Sequence, residues 1–118
     1  MKQLNYRSPV GSEPGTFAQW LRDLRNLSGA YVIRSAETKD VFYVGESHTG
    51  RLYRTITRHF QSWDDTGDRE HFTYSRHHVE VAVRLTPPNS AIGAQDNLIQ
   101  RLKPRDNTTC AGCPDEPF

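Results

Sequence analysis

The segment GAYVIRSAETKDVFYVGES, residues 29–47, contains two short runs rich in β-branched and aromatic residues. These runs, AYVIRS and VFYVGES, flank the polar stretch AETKD, a pattern typical of two strands joined by a turn. Because so short a connection joins neighbouring strands, we expect an antiparallel hairpin. A third, half-buried strand is predicted at 78–86, HVEVAVRLT, where apolar residues occupy every second position from Val79 to Leu85.

Three helices are predicted around these strands. The first covers 17–27, with Thr16 as N-cap and an apolar face formed by Phe17, Trp20, Leu21, Leu24 and Leu27. The second makes about three turns within 51–63, where Leu52, Ile56 and Phe60 share one side. The last covers 91–103 and is capped by Ser90.

The remaining segments are predicted to be irregular. Residues 1–15 contain two prolines and two glycines and indicate an unstructured arm. Residues 62–77 are polar and rich in Asp, Arg and Gly, which indicates a long surface loop. The element order is therefore helix, strand, strand, helix, strand, helix.

Composition limits the class of protein. With 118 residues, of which 35% are hydrophobic, the chain fits one domain with a modest core. It contains no run of about 18 apolar residues and no apolar signal-peptide core, so we expect a cytoplasmic protein without a membrane span. The net charge is only +1, but 12 of the 15 basic residues are Arg. Arg binds phosphate through two parallel hydrogen bonds, although a solvated helix face would also explain these cations.

The only two cysteines, Cys110 and Cys113, lie in a polar tail as CAGC. One such pair supplies two of the four ligands of a structural zinc site. A zinc ion shared between subunits, a redox pair and an incidental tail are all compatible with this pattern.

Two triplets and their surroundings resemble the GIY-YIG nuclease superfamily. Gly29-Ala30-Tyr31 opens the first strand, and Tyr43-Val44-Gly45 lies in the second. An Arg-bearing helix, a strand and a final helix follow in the order found in that family. The ending NLIQRLKPRDN is similar to the family's closing helix, which runs into a Pro and then an Asn. The resemblance covers 29–107 and leaves an N-terminal arm and helix at 1–28 and a polar tail at 108–118.

The resemblance implies an α+β fold in which helices flank a three-stranded antiparallel sheet, here with an extra N-terminal helix. It also implies an endonuclease that hydrolyses DNA phosphodiester bonds with one divalent cation, Mg²⁺ or Mn²⁺. In that family the tyrosine of the first triplet acts as the base, which places Tyr31 in this role. Because a phenol has a pKa near ~10, Tyr31 would need a neighbouring cation or a metal-bound water to ionise.

Other roles follow from the same resemblance. Tyr43 would line the pocket and hold water or phosphate, and Gly45 would allow close backbone approach. His59 would orient the nucleophile, although a structural histidine at the core edge is an equal alternative. Arg54 is our choice for the scissile phosphate, because it lies nearest to the position that the family's helix Arg occupies relative to the histidine. Arg51 is second, since helical angle alone does not choose between the two.

Five further residues are candidates for contact with the substrate. They lie directly after the second triplet, on the Arg-bearing helix, or at the C-terminal end of the domain. Asn107 matches the closing Asn, whose amide would brace the pocket, although a turn-forming Asn is an equal alternative. The remaining candidates are Glu46, Ser47, His48 and Arg58.

Gln95 occupies the position of the family's metal-binding Glu, three residues before the pair Leu98-Ile99. Magnesium prefers charged oxygen ligands, so an amide here implies a weak or absent ion. Three explanations are open. A native Glu was replaced by Gln, or a natural protein lost cleavage and kept binding, or Asp96 or Glu46 takes over the metal.

Two other functions are compatible with the sequence. A non-catalytic DNA-binding module could use the same groove. A protein-interaction domain could bind zinc between subunits through Cys110 and Cys113.

Overall fold

A computed structural model describes residues 4–13, 16–60 and 74–108. It contains three strands, β1 Gly29–Ser35, β2 Val41–Ser47 and β3 Val79–Leu85, and three helices, α1 Gln19–Arg22, α2 Leu52–Thr57 and α3 Ala91–Leu102. Short 3₁₀ turns cover Arg58–Phe60, Pro88–Ser90 and Asp106–Thr108. Cys110, Cys113 and most of the predicted loop at 62–77 lie outside the described residues.

The strands form one antiparallel sheet in the order β2-β1-β3. On the central strand, Tyr31 lies opposite Gly45 of β2 and opposite Val83 of β3. The register with β2 shifts after Ile33, which lies opposite Tyr43. The predicted α+β class, with a three-stranded antiparallel sheet and an extra N-terminal helix, is confirmed.

Both faces of the sheet are covered. One face carries Tyr31, Ile33 and Tyr43, which form a core with apolar residues of α1 and α2. The other face carries Ala30, Val32, Val44 and Ala82, which contact Leu98 of α3. Strand β3 contains both buried and exposed positions, but the predicted alternation fails at two of them, because Ala82 is fully buried whereas Leu85 is 55% exposed.

The N-terminal arm pairs with the sheet. The Arg7 N–H donates to the Val81 carbonyl at 2.9 Å, and the Val81 N–H donates back at 2.8 Å. Trp20 of α1 donates its indole N–H to the Ser8 carbonyl at 2.8 Å. The prediction of an unstructured arm is wrong for residues 4–13, because the unpaired backbone groups of edge strand β3 provide hydrogen-bond partners.

Helix α1 is shorter than predicted. The Thr16 hydroxyl donates to the Glu13 carbonyl instead of capping the helix. After Arg22 the chain continues in tighter turns, in which the Leu24 N–H donates to the Leu21 carbonyl. Such turns repeat about every three residues, which keeps Leu21 and Leu24 on one buried side. The backbone leaves this conformation at Asn26, which has a positive φ of 67°, and Leu27 is 38% exposed.

The other two helices also differ at their ends. Helix α2 has six residues and continues into the 3₁₀ turn Arg58–Phe60. Ser90 makes no side-chain cap to α3, because it belongs to a 3₁₀ turn that precedes the helix. No helix within the described ranges has the length and apolar character needed to cross a membrane.

Candidate active site

The centre of the candidate site is a hydrogen bond between two buried side chains. The Tyr31 hydroxyl and His59 Nε2 lie 2.8 Å apart, and the two residues are 1% and 7% exposed. Tyr31 comes from the central strand, and His59 comes from the 3₁₀ turn after α2. The Tyr43 ring centroid lies 4.8 Å from that of His59 and 6.3 Å from that of Tyr31. The structure thus brings these three sequence-predicted residues together.

Gly45 makes room for the Tyr31 hydroxyl. A Cβ atom at position 45 would lie 2.4 Å from the Tyr31 oxygen and 2.5 Å from its Cζ. Because these distances are far below van der Waals contact, only glycine allows the Tyr31 ring its present position. The close approach that Gly45 was expected to allow is therefore that of the Tyr31 side chain to the β2 backbone.

Burial keeps the tyrosines of this site protonated. It raises the pKa of Tyr31 well above 10, and Tyr43, Tyr74 and Glu46 add to the effect. Arg58 is the neighbouring cation that acts in the opposite direction, but its influence is smaller. Burial, together with the Glu46 carboxylate, also raises the pKa of Tyr43 to about 12. Both groups are therefore neutral phenols at physiological pH.

An arginine-lined depression of about 330 Å³ lies on α2 and its C-terminal end, lined by Arg51, Arg54, Thr55 and Arg58. Its three guanidinium groups belong to exposed residues. Neither Arg51 nor Arg54 forms an ion pair within the part of the chain that the structure describes. Residues 47–60 contain no acidic side chain, so this depression suits an anion.

Residues after the second triplet support the site in different ways. The Ser47 hydroxyl accepts the Arg51 N–H at 3.1 Å, which fixes the start of α2. Glu46 contacts His48 Nδ1 at 3.1 Å. Because Glu46 raises the pKa of both Tyr31 and Tyr43, its carboxylate lies within electrostatic reach of the tyrosine pair.

Asn107 braces the outer edge of the sheet. Its amide oxygen accepts the Val44 N–H at 2.8 Å, and its amide nitrogen donates to the Val44 carbonyl at 2.9 Å. These bonds connect the segment after α3 to β2, one residue from Tyr43 and Gly45. The amide therefore holds the strand that carries the second triplet.

Sequence reasoning missed Tyr74 and Asp106. The Tyr74 N–H donates to the His59 carbonyl at 2.7 Å, and its ring stacks on Phe42 with centroids 5.5 Å apart. Its hydroxyl donates to the Asp106 carboxylate at 2.5 Å. Tyr74 therefore connects the turn that carries His59 with the segment that carries Asn107. An aromatic residue inside a polar segment was the only sequence signal for it.

The pKa shifts of Tyr74 and Asp106 show which of the two groups carries the proton. Burial raises the pKa of Tyr74, and its hydrogen bond to Asp106 raises it further. Burial alone would raise the pKa of Asp106, but hydrogen bonds from Arg105 and Tyr74 outweigh it and lower the pKa. The pair is thus a neutral phenol donating to a carboxylate.

Gln95 is not joined to this group. It is half-buried on α3, which packs on the opposite face of the sheet, and no contact within the described ranges connects it with Tyr31 or His59. Asp96 is exposed. The same ranges contain no group of three His, Cys, Asp or Glu residues that could hold a metal ion. A neutral amide at position 95 and a separate carboxylate at Glu46 do not fit a magnesium site.

No family model matches the chain, and no curated protein matches it.

Proposed function

We propose that this protein is a DNA phosphodiesterase scaffold of the GIY-YIG type. The observation that carries the proposal is the buried Tyr31–His59 hydrogen bond next to the arginine-lined depression on α2. Arg58 connects the two, because it lines the depression and directly precedes His59 in the same 3₁₀ turn, and its charge also acts on Tyr31. A phosphate bound by the arginines would therefore lie close to a pair of groups that can move a proton.

The arginines provide the phosphate site of the proposal. Guanidinium groups bind phosphate oxygens in a bidentate manner and remain charged at any physiological pH. Arg54 is our first candidate for the scissile phosphate, and Arg51 is the second. Their positive charge would stabilise the negative charge that develops on the phosphoryl oxygens in the transition state.

The proton path of the proposal runs through Tyr31 to His59. An attacking water gives its proton to the Tyr31 oxygen while the hydroxyl proton of Tyr31 passes to His59 Nε2. A bond forms between the water oxygen and phosphorus, and the bond from phosphorus to the leaving oxygen breaks. The leaving oxygen takes a proton from solvent. Because burial keeps Tyr31 neutral, the proton is left on the His59 imidazole at the end of the step.

No step is assigned to a metal ion, because the residues of this chain do not fit one. We propose instead that the neutral amide of Gln95 leaves cleavage weak or absent in the chain as it stands. A carboxylate at position 95 would supply the charge that Mg²⁺ or Mn²⁺ requires. The ion would then act from the α3 side of the sheet, and not beside the Tyr31–His59 pair.

A non-catalytic DNA-binding module is the second candidate function. The combination of an arginine-lined depression with an uncharged residue at position 95 favours it. Both candidates use the same phosphate site and differ only in whether hydrolysis follows binding.

A cleavage assay distinguishes the two candidates. Single-stranded, duplex and branched DNA are incubated with the chain and with Gln95→Glu, each with and without magnesium. We expect only Gln95→Glu to cut, and only with the metal. Cleavage by both forms would move the metal to Glu46 or Asp96, and binding without cleavage by either form would favour the binding module.

Two further variants in the Gln95→Glu background test the assigned roles. Arg54→Ala is expected to abolish cleavage with an unchanged thermal unfolding curve, and full activity in this variant would remove the assignment. Arg101→Ala is the matched control, because Arg101 is exposed on α3, away from the depression. It is expected to retain cleavage.

A further inference from the structure

We propose that Tyr74 is a positioning residue, which holds His59 at hydrogen-bond distance from Tyr31 because Tyr74 is itself anchored on Asp106. The inference rests on the proposed function, since it concerns the two groups of the proposed proton path. It assigns a role in the reaction to a side chain that the sequence reasoning did not find.

Tyr74 contacts both the backbone and the ring of His59. Its N–H donates to the His59 carbonyl at 2.7 Å, and the two ring centroids lie 5.8 Å apart with the ring planes inclined by 36°. His59 lies in the 3₁₀ turn Arg58–Phe60, and the last carbonyl groups of a helical segment need partners from outside it. The Tyr74 N–H therefore fixes the backbone from which the imidazole reaches the Tyr31 hydroxyl.

A β-bulge in β2 provides the surface on which the Tyr74 ring packs. The pairing of β2 with β1 shifts between Ile33 and Arg34, which makes Phe42 an extra residue of β2. Phe42 consequently packs against the same core as its neighbour Tyr43, although consecutive strand residues ordinarily point to opposite faces. Its ring stacks on that of Tyr74 with centroids 5.5 Å apart and planes inclined by 14°.

The hydroxyl end of Tyr74 is anchored on a buried carboxylate. The hydroxyl donates to Asp106 at 2.5 Å, and Asp106 is 7% exposed. The Arg105 side chain donates to the same carboxylate at 2.8 Å, and the Arg105 N–H donates to the Val41 carbonyl of β2 at 3.0 Å. Since hydrogen bonds to a charged group are short and strong, this contact fixes the Tyr74 ring relative to the sheet.

These contacts hold Tyr74 at both ends, at the backbone by His59 and at the hydroxyl by Asp106. The proposed proton transfer depends on the 2.8 Å separation of the Tyr31 hydroxyl and His59 Nε2. A misplacement of about 1 Å can lower the rate of a reaction by about 100-fold. Because other residues line the arginine-lined depression, loss of the anchor should lower the rate of the chemical step and leave the affinity for DNA unchanged.

The ring signals of His59 test the positioning without any assay of activity. Long-range proton–nitrogen correlation spectra of the parental chain and of Tyr74→Phe are recorded at neutral pH. This substitution keeps the ring and the backbone N–H and removes only the hydroxyl. We expect it to move the His59 Nε2 signal toward that of His77, which is exposed. An unchanged His59 signal would overturn the proposal.

Cleavage kinetics test the same role in the Gln95→Glu background with magnesium. We expect Tyr74→Phe to lower kcat by up to about 100-fold with an unchanged KM. Asp106→Ala removes the acceptor of the same hydrogen bond, so the double variant should be no slower than the slower of the two single variants. Additive losses, or a higher KM with an unchanged kcat, would contradict the positioning role.

Two control variants separate position from stability. Tyr53→Phe removes a hydroxyl from another partly buried tyrosine that packs against the same core. Val32→Ala shortens a buried side chain of the core under α3 and is expected to lower thermal stability. Both should leave the His59 signal and kcat unchanged. A shift of the His59 signal in Val32→Ala as large as in Tyr74→Phe would overturn the proposal.

The two readouts also distinguish this inference from the proposed function. A shifted His59 signal in Tyr74→Phe, with no cleavage by Gln95→Glu, would overturn the nuclease and leave the anchor of His59 in place. An unchanged His59 signal and an unchanged kcat, in a Gln95→Glu chain that cuts DNA, would overturn the role of Tyr74 and leave the nuclease intact.

Discussion

At the scale of single residues, Gly45 is the glycine whose missing side chain makes room for the candidate site. A Cβ atom there would lie within 2.5 Å of both the Tyr31 oxygen and Cζ, and the ring cannot retreat because it is buried on the central strand. We expect Gly45→Ala to lower the free energy of unfolding by about 1–3 kcal/mol, the usual cost of overpacking. Denaturant unfolding measures this, and an unchanged midpoint would show that Tyr31 has another position.

Gly93 provides the matched control within the same chain. It lies in α3, and a Cβ atom there would meet no atom within 4 Å. Because alanine favours a helix over glycine, Gly93→Ala should raise the free energy of unfolding by about 0.5–1 kcal/mol. Opposite effects of the same substitution at the two glycines would locate the constraint at Tyr31.

Some residues of the candidate site could be identified from the sequence and others could not. Tyr31, Tyr43 and Gly45 belong to short motifs within adjacent strands, so their proximity follows from the hairpin register. Tyr74 and Asp106 could not be found in this way. Their contact joins positions 32 residues apart and depends on how the chain returns across the edge of β2.

At the scale of elements, strand β2 is held at its outer edge by one side chain. Asn107 makes two hydrogen bonds to the Val44 backbone, at 2.8 Å and 2.9 Å. Since each such bond contributes about 0.5–1.5 kcal/mol, we expect Asn107→Ala to lower the free energy of unfolding by about 1–3 kcal/mol. Faster amide exchange at Val44 would show that the loss is local to β2.

The control for Asn107→Ala is Asn97→Ala on the exposed side of α3. This change removes the same amide from a solvent-facing position and should alter the free energy of unfolding by at most about 0.5 kcal/mol. Equal effects of the two substitutions would contradict a bracing role for Asn107.

Strands were predicted more accurately than helices, and the reason is physical. Strand alternation is a local property, and the bounds of β2 agree with the predicted run VFYVGES. The apolar spacing at residues 17–27 suits both an α-helix and a series of tighter turns. Tertiary contacts decide between them, because Phe17 pairs with Val10 in an extended conformation and so cannot begin a helix.

At the scale of the whole molecule, the two faces of the sheet are covered by different types of side chain. The face under α2 carries Tyr31, Tyr43 and His59, and the depression of arginines lies on its outer layer. The core under α3 consists of small and aliphatic side chains, with Tyr6 packed against it. The segment after α3 joins the two layers, since Asn107 binds β2 and Asp106 binds Tyr74. The buried tyrosines of the sheet and His59 thus lie in one layer.

This concentration of buried tyrosines in one layer predicts the response of the protein to alkaline pH. An unfolded tyrosine ionises near pH ~10, whereas burial raises the pKa of Tyr43 to about 12 and raises the pKa of both Tyr31 and Tyr74. Above pH ~10 the unfolded chain has lost protons that the folded chain retains. The contribution of these tyrosines to the free energy of unfolding is therefore fully present below pH ~10. It falls as pH rises further, by about 1.4 kcal/mol per pH unit for each such group.

Denaturant unfolding from about pH 9 to about pH 12, with tyrosinate absorbance recorded in parallel, measures this response. We expect absorbance and unfolding to rise together for the buried tyrosines, since these groups ionise only as the fold is lost. Tyr43→Phe removes one of the groups and should reduce the pH dependence between about pH 10 and about pH 12 by about 1.4 kcal/mol per unit. Complete ionisation near pH ~10 in a chain that remains folded would show that the hydroxyls of this layer are open to solvent. A proton path that ends on His59 because Tyr31 stays neutral would then be wrong.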